Sequence, residues 1–188
     1  SGMLVSSLAA FERYQHNAAW VWEHQALTRA RFCAGDAAIG ARFEAIREAV
    51  LRRERAAQEG ELRNEVLKMR RRMHDAYPNR SALFDLKQDT GGMIDIEFIV
   101  QYLVLRYAAQ HPQLTANAGN IALLHRSGEL GLIDPGLAAG AADAYRAMRK
   151  LQHQLRLQGG EARIEAAQVA AHAAAVTRLW QAIFGPAA

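Results

Sequence analysis

From Phe84 to Leu105 the chain reads FDLKQDTGGMIDIEFIVQYLVL. Lys87, Asp89, Gly91, Gly92, Asp95 and Glu97 crowd together there, directly ahead of a nearly unbroken apolar run. Two adjacent glycines let a backbone turn sharply and approach a ligand closely. If a helix begins just after them, the free N–H groups of its first turn can face an anion, as at many phosphate sites. Lys87 adds a positive charge upstream. Asp95, in the first turn, suits the positive end of the helix dipole or can help to hold a hydrated magnesium ion. Glu97 lies about 200° further around the helix, at roughly 100° per residue, so the two acids cannot serve one ligand.

The same residues admit a purely structural reading. Gly-Gly-x-x-Asp is then a turn and a capped helix start, and Lys87 a solvated charge. Glu97 strains that reading, because a carboxylate in so apolar a helix needs a partner, expected to be an arginine. Arg29, Arg31 or the Lys68–Arg72 cluster can supply it. That cluster otherwise reads as a solvated helix face, partly paired through Glu65 to Lys68.

Other chemistry is absent from the pattern. The 7 histidines are scattered, with no HExxH or CxxC spacing, so no metal site is expected. No GxSxG elbow or Walker loop occurs, and no residue is assigned a catalytic role. Cys33 reads as a small buried hydrophobe, which leaves no disulfide and fits a reducing cytoplasm. Trp20 and Trp22 read as packing residues.

The elements that must position the junction are helical. Ser6 or Ser7 caps a long first helix running to about Ala34 and stopped by Gly35. Asp36 opens a second, with Ile39, Phe43, Ile46 and Val50 on one face. A third from near Gly60 carries Leu62, Val66, Met69 and Met73 at the same spacing. Residues 77–90 form the longest irregular stretch. A fourth helix over about 93–110 is apolar almost all round and belongs at the centre of a bundle. A short fifth covers 117–126. Asp134-Pro135 opens a sixth to about Gln158, and an Ala-rich seventh ends at Gly185-Pro186. The fold expected is all-α, a bundle of six to seven helices in a single domain over 4–188. Residues 1–3 read as an expression scar, and no signal peptide follows.

With 188 residues and 22% charged residues, the composition is globular. The formal charge of +4 permits nucleotides, nucleic acid or acidic proteins without choosing among them. A helical nucleic-acid-binding module is the rival class, prompted by the basic cluster around Arg70. Helix-turn-helix spacing and aromatic–basic interleaving are missing, so nucleic acid is not the favoured partner. The apolar run is interrupted by Asp95, Glu97, Gln101 and Arg106, so no membrane span is expected.

Four stretches carry a resemblance. DLKQDTGGMIDIEFIVQYLVLRYA resembles the signature that follows the nucleotidyltransferase domain in glutamine synthetase adenylyltransferases, and WVWEHQALTRAR resembles the segment directly after that domain. LTANAGNIALL and the LWQAIF ending are similar as well. The likeness spans essentially the whole chain and favours the adenylylating, C-terminal half. A lysine-then-Gly-Gly-x-x-Asp pattern gives a looser likeness to PII uridylyltransferases. The resemblance implies a bifunctional enzyme that uses ATP and Mg2+ to transfer AMP to a tyrosine of glutamine synthetase, and removes it in its other half. It further implies responses to glutamine and to the PII signalling protein. The Gly-Ser-x-x-Asp-x-Asp segment of the catalytic domain is missing here. The resemblance therefore implies a non-catalytic helical domain, inactive alone, packing beside its own nucleotidyltransferase domain. Lys87, Gly91, Gly92 and Asp95 would line the nucleotide cleft, with Arg29 and Arg31 as weaker phosphate candidates.

Overall fold

The structure is a computed structural model that describes residues 5–55 and 58–185. The expected scar at residues 1–3 and the expected stop at Pro186 lie outside the described residues. The fold is all-α, as expected. Eight α-helices are described, with one two-stranded pairing. The residues expected as one domain distribute over two compact units, Ser1–Val66 with Gln101–Asn117, and Leu67–Val100 with Ala118–Ala188.

The first unit contains α1 (Leu8–Asn17), α2 (Val21–Leu27) and α3 (Ala37–Leu51). It also takes the first part of α4 (Glu59–Ala76) and the last part of α5 (Met93–Tyr107). The single helix expected up to Ala34 is broken twice, and both breaks have a side-chain cause. The Glu23 carboxylate accepts from the Trp20 amide at 2.8 Å and the Tyr14 hydroxyl at 2.7 Å, which starts a new helix at Val21. Arg47, 2% exposed, then donates to the Leu27 carbonyl at 3.1 Å and the Thr28 carbonyl at 2.9 Å. Those carbonyls are held at the end of α2, and the chain leaves the helix there. Arg47 also reaches the Thr115 carbonyl at 2.9 Å, in the 3-10 turn Pro112–Thr115. One cation thus ties three segments together.

α3 starts where expected: Asp36 Oδ1 accepts from the amides of Ala38 and Ile39 at 2.8 and 3.0 Å. α1 and α2 both pack on α3. Ile46 and Val50 are buried, but Ile39 is 56% exposed. Trp20 and Trp22, expected to pack, are 66% and 47% exposed, and Cys33 is an exposed free thiol rather than a buried one.

The second unit contains the rest of α4, the start of α5, α6 (Asn120–Glu129), α7 (Pro135–Leu157) and α8 (Ala166–Phe184). α7 packs on both α6 and α8. Its buried Ala138, Ala141, Ala142 and Ala144 present little bulk, which lets neighbouring helices approach closely. Asp134 caps it, accepting from the Leu137 amide at 2.8 Å. Phe84–Asp85 (β1) pairs antiparallel with Arg163–Ile164 (β2), in the register Phe84 to Ile164 and Asp85 to Arg163. Its first strand, β1, sits inside the stretch expected to be irregular. α5 is buried along nearly its whole length, as an all-round apolar helix must be. No described helix is long and apolar enough to cross a membrane.

Candidate functional site

The loop ahead of α5 is built by two aspartates. Asp85 Oδ1 accepts from the amides of Lys87 and Gln88, each at 2.9 Å, turning the chain directly after β1. Asp89 Oδ2 accepts from the Asp85 amide at 2.9 Å and from Asn79 Nδ2 at 2.8 Å. Leu86 is fully buried beneath the turn, and its amide donates to the Ala162 carbonyl at 2.9 Å.

The glycine pair then does two separate things. Gly91 has φ +81, a left-handed conformation, and a Cβ there would meet the Ala173 carbonyl oxygen of α8 at 2.7 Å. Gly92 lies so close to the loop that a Cβ would meet the Asp89 carbonyl oxygen at 2.8 Å. The close approach expected of these glycines is therefore made to the protein's own backbone.

The first-turn amides follow suit. Gly92 N–H donates to the Asp89 carbonyl at 2.8 Å, Met93 N–H to Leu86 at 3.0 Å and Ile94 N–H to Lys87 at 3.2 Å. Groups expected to face an anion are thus satisfied within the loop, which closes the helix start in the manner of a cap. Asp95, 4% exposed, accepts from Gly91 N–H on Oδ2 at 2.7 Å and from Arg70 Nε on Oδ1 at 2.6 Å. Its charge is met inside the protein by a buried guanidinium, and both oxygens are occupied. Of the two roles open to Asp95 in the sequence, the donor set fits the one at the helix start and not a magnesium ligand. Among the described residues no group of three or more His, Cys, Asp or Glu could hold a metal ion.

Arg70 is the residue that sequence reasoning misplaced. Expected on a solvated face, it is 6% exposed, and its Nη2 also donates to the Gln88 carbonyl at 2.8 Å. Arg70 therefore binds both the loop and the helix start. A signal was present: Leu62, Val66 and Arg70 recur every four residues, so Arg70 continues the buried stripe. Lys68, Arg71 and Arg72 are exposed, as a solvated face requires. Arg70, Arg71, His74, Asp75, Thr90, Asp95 and Trp180 line a cavity of about 220 Å³.

Two family models divide the sequence. One described as Glutamate-ammonia ligase adenylyltransferase matches residues 1–46, and one described as GlnD PII-uridylyltransferase matches residues 48–181. The chain is similar to the bifunctional glutamine synthetase adenylyltransferase/adenylyl-removing enzyme of Aromatoleum aromaticum, at 55% identity over 100% of this chain and 20% of that protein. The protein of the same description from Ralstonia nicotianae is 58% identical over 98% of this chain and 20% of its own length. That from Bordetella bronchiseptica is 55% identical over 97% and 19%. The chain belongs to the glutamine synthetase adenylyltransferase family. It spans about a fifth of the length of these curated relatives.

In this adenylyltransferase-family chain the expected site residues separate by exposure and by unit. Gly91, Gly92 and Asp95 are buried, whereas Lys87 is exposed. Arg29 and Arg31 are exposed and belong to the first unit, not to the unit that holds the junction. Among the described residues Glu97 takes a tyrosine in place of the expected arginine. The Tyr145 hydroxyl donates to Glu97 Oε1 at 3.1 Å, and Asn120 Nδ2 donates to the same hydroxyl oxygen at 2.9 Å. Burial, and then the nearby Glu97 carboxylate, push the Tyr145 phenol above its usual range. A phenol hydrogen bond meets the acid's need without importing a second charge.

Proposed function

We propose that the chain is the C-terminal helical part of a glutamine synthetase adenylyltransferase. The whole protein transfers AMP from ATP, with Mg2+, to a tyrosine of glutamine synthetase, and removes it in its other half. Identity of 55% across the full chain to a protein of that description is the observation that carries this reading. It acts in the cytoplasm, with glutamine synthetase and the PII signalling protein as partners.

In this reading the junction forms part of the wall of the nucleotide cleft, against the enzyme's own nucleotidyltransferase domain. Of its four residues Lys87 is the one in water, and it supplies charge to the nucleotide phosphates. Gly91, Gly92 and Asp95 hold the loop that presents it. Arg29 and Arg31, which belong to the first unit, are separate and weaker candidates for phosphate contact. Magnesium, and through it the ATP phosphates, is held chiefly by carboxylates outside this chain, since Asp95 is committed to Arg70. The looser likeness to PII uridylyltransferases is the second reading, favoured by the match over residues 48–181.

A chimaera separates the two. The Aromatoleum aromaticum relative, with its matching segment replaced by this chain, is expected to adenylylate glutamine synthetase at a rate within about tenfold of its own, a barrier change of about 1.4 kcal/mol. A folded chimaera that uridylylates PII instead, or transfers no AMP, contradicts the proposal.

A further inference from the structure

The Lys87 side chain stands in water, but its backbone is held by the protein. Its amide donates to Asp85 Oδ1 at 2.9 Å, and its carbonyl accepts from Ile94 N–H at 3.2 Å. Gln88 repeats the pattern: its amide donates to the same Asp85 oxygen at 2.9 Å, and its carbonyl accepts from Arg70 Nη2 at 2.8 Å. Every backbone polar group of this dipeptide is thus bonded internally. Water can serve the backbone of an exposed turn, so a turn that only joined β1 to α5 would not need these partners.

Resting on the cleft-wall reading of the junction, we propose that Asp85 and Arg70 are positioning residues for Lys87, fixing the peptide from which its side chain reaches a nucleotide phosphate. Lysine is a point charge on a flexible four-carbon stem, so its aim depends on where the stem is rooted. Ordering that root before the ligand arrives removes a cost that binding would otherwise meet. Both positioning side chains are themselves held. Asp85 Oδ2 lies 3.6 Å from Arg163 Nε, on the residue opposite it in the β pairing, which leaves Oδ1 for the two amides. Arg70 is gripped at Nε by Asp95 at 2.6 Å, and its planar fork then directs Nη2 to the Gln88 carbonyl. One tie comes from β1 and the other from α4, and all of these residues belong to the second unit.

Steady-state kinetics of the full-length enzyme with ATP varied supplies the test. Asp85→Ala deletes the shared acceptor and is expected to raise KM for ATP about fivefold with kcat unchanged, roughly 1 kcal/mol, the lower end of the cost of fixing one residue's backbone. Asp85→Asn keeps an oxygen that accepts from the same two amides, so its KM is expected to stay within about twofold of the parent. Arg70→Lys keeps a cation for Asp95, loses the donor to Gln88, and is expected to raise KM as Asp85→Ala does. In a Lys87→Ala background neither substitution should raise KM further, whereas a merely structural defect adds its effect in both backgrounds. An unchanged KM in Lys87→Ala defeats the cleft-wall reading and the positioning role with it. A raised KM in Lys87→Ala, combined with an unchanged KM in folded Asp85→Ala or an increase that persists without the lysine, overturns the positioning role alone. Should Asp85→Ala fail to fold, the same cycle on Arg70→Lys decides.

Discussion

Asp95 carries more of the junction than its position in a first helical turn suggests. Its two oxygens hold a buried arginine and the amide of a glycine in the left-handed region, so loop and helix share one carboxylate. Asp95→Asn removes the charge and sets an amide N–H against one of two donors. Breaking a buried pair in this way costs about 3–5 kcal/mol, which chemical denaturation would measure as a lower midpoint with an unchanged slope. A loss below about 1 kcal/mol would mean that the pair is not held as described. The glycines allow a graded comparison. Gly131 has φ +70 and open space around it, so Gly131→Ala carries only the left-handed backbone cost of about 1–2 kcal/mol. Gly91→Ala adds the collision with Ala173 and is expected to cost more than Gly131→Ala in the same assay. Gly-Gly-x-x-Asp was legible as a turn and a helix start. What it turns against was not, because Ala173 and Arg70 lie far away in sequence.

At the scale of elements, helix spacing located most of the helices and the Asp36 and Asp134 caps from local pattern alone. It failed from Asn17 to Gly35, where Glu23 and Arg47 override a continuous helical pattern through contacts no periodicity reports. The two-residue β pairing escaped for the same reason. α2 also carries a pH-sensitive joint. His24 is buried, its Nε2 lies 2.9 Å from the Gln15 carbonyl, and its Nδ1 lies 3.4 Å from Arg55 Nη2. A ring that accepts from a guanidinium on Nδ1 and donates from Nε2 is neutral. Burial first, and the Arg55 charge after it, lower its pKa from the ordinary 6.5. The unfolded chain therefore takes up this proton before the folded one does. Stability from this group is full above pH 6.5 and declines as pH falls below it, by at most about 1.4 kcal/mol per pH unit. Thermal unfolding compared between pH 7.5 and 5.5 should show a smaller loss in His24→Gln than in the parent. An equal loss in both would place the sensitivity elsewhere.

Across the whole molecule, the sequence conveyed an all-α chain and its family likeness; the eight described helices agree with the first and the identity to curated relatives with the second. The division into two compact units was not legible, since α4 and α5 each run unbroken from one unit into the other. Nucleotidyl transfer needs metal-clamped phosphates and an aligned nucleophile, and among the described residues no group of three or more His, Cys, Asp or Glu could hold a metal ion. The chain alone is accordingly expected to transfer no AMP from radiolabelled ATP to glutamine synthetase, and measurable transfer would contradict that division of labour. Within the full-length enzyme, Lys87→Ala offers the sharpest test of the junction as a wall of the nucleotide cleft, because this side chain is exposed and its loss should leave folding intact. Losing one lysine–phosphate contact is expected to raise KM for ATP by about tenfold, with the unfolding midpoint unchanged. An unchanged KM in a fully folded variant would show that the junction serves the fold and not the nucleotide.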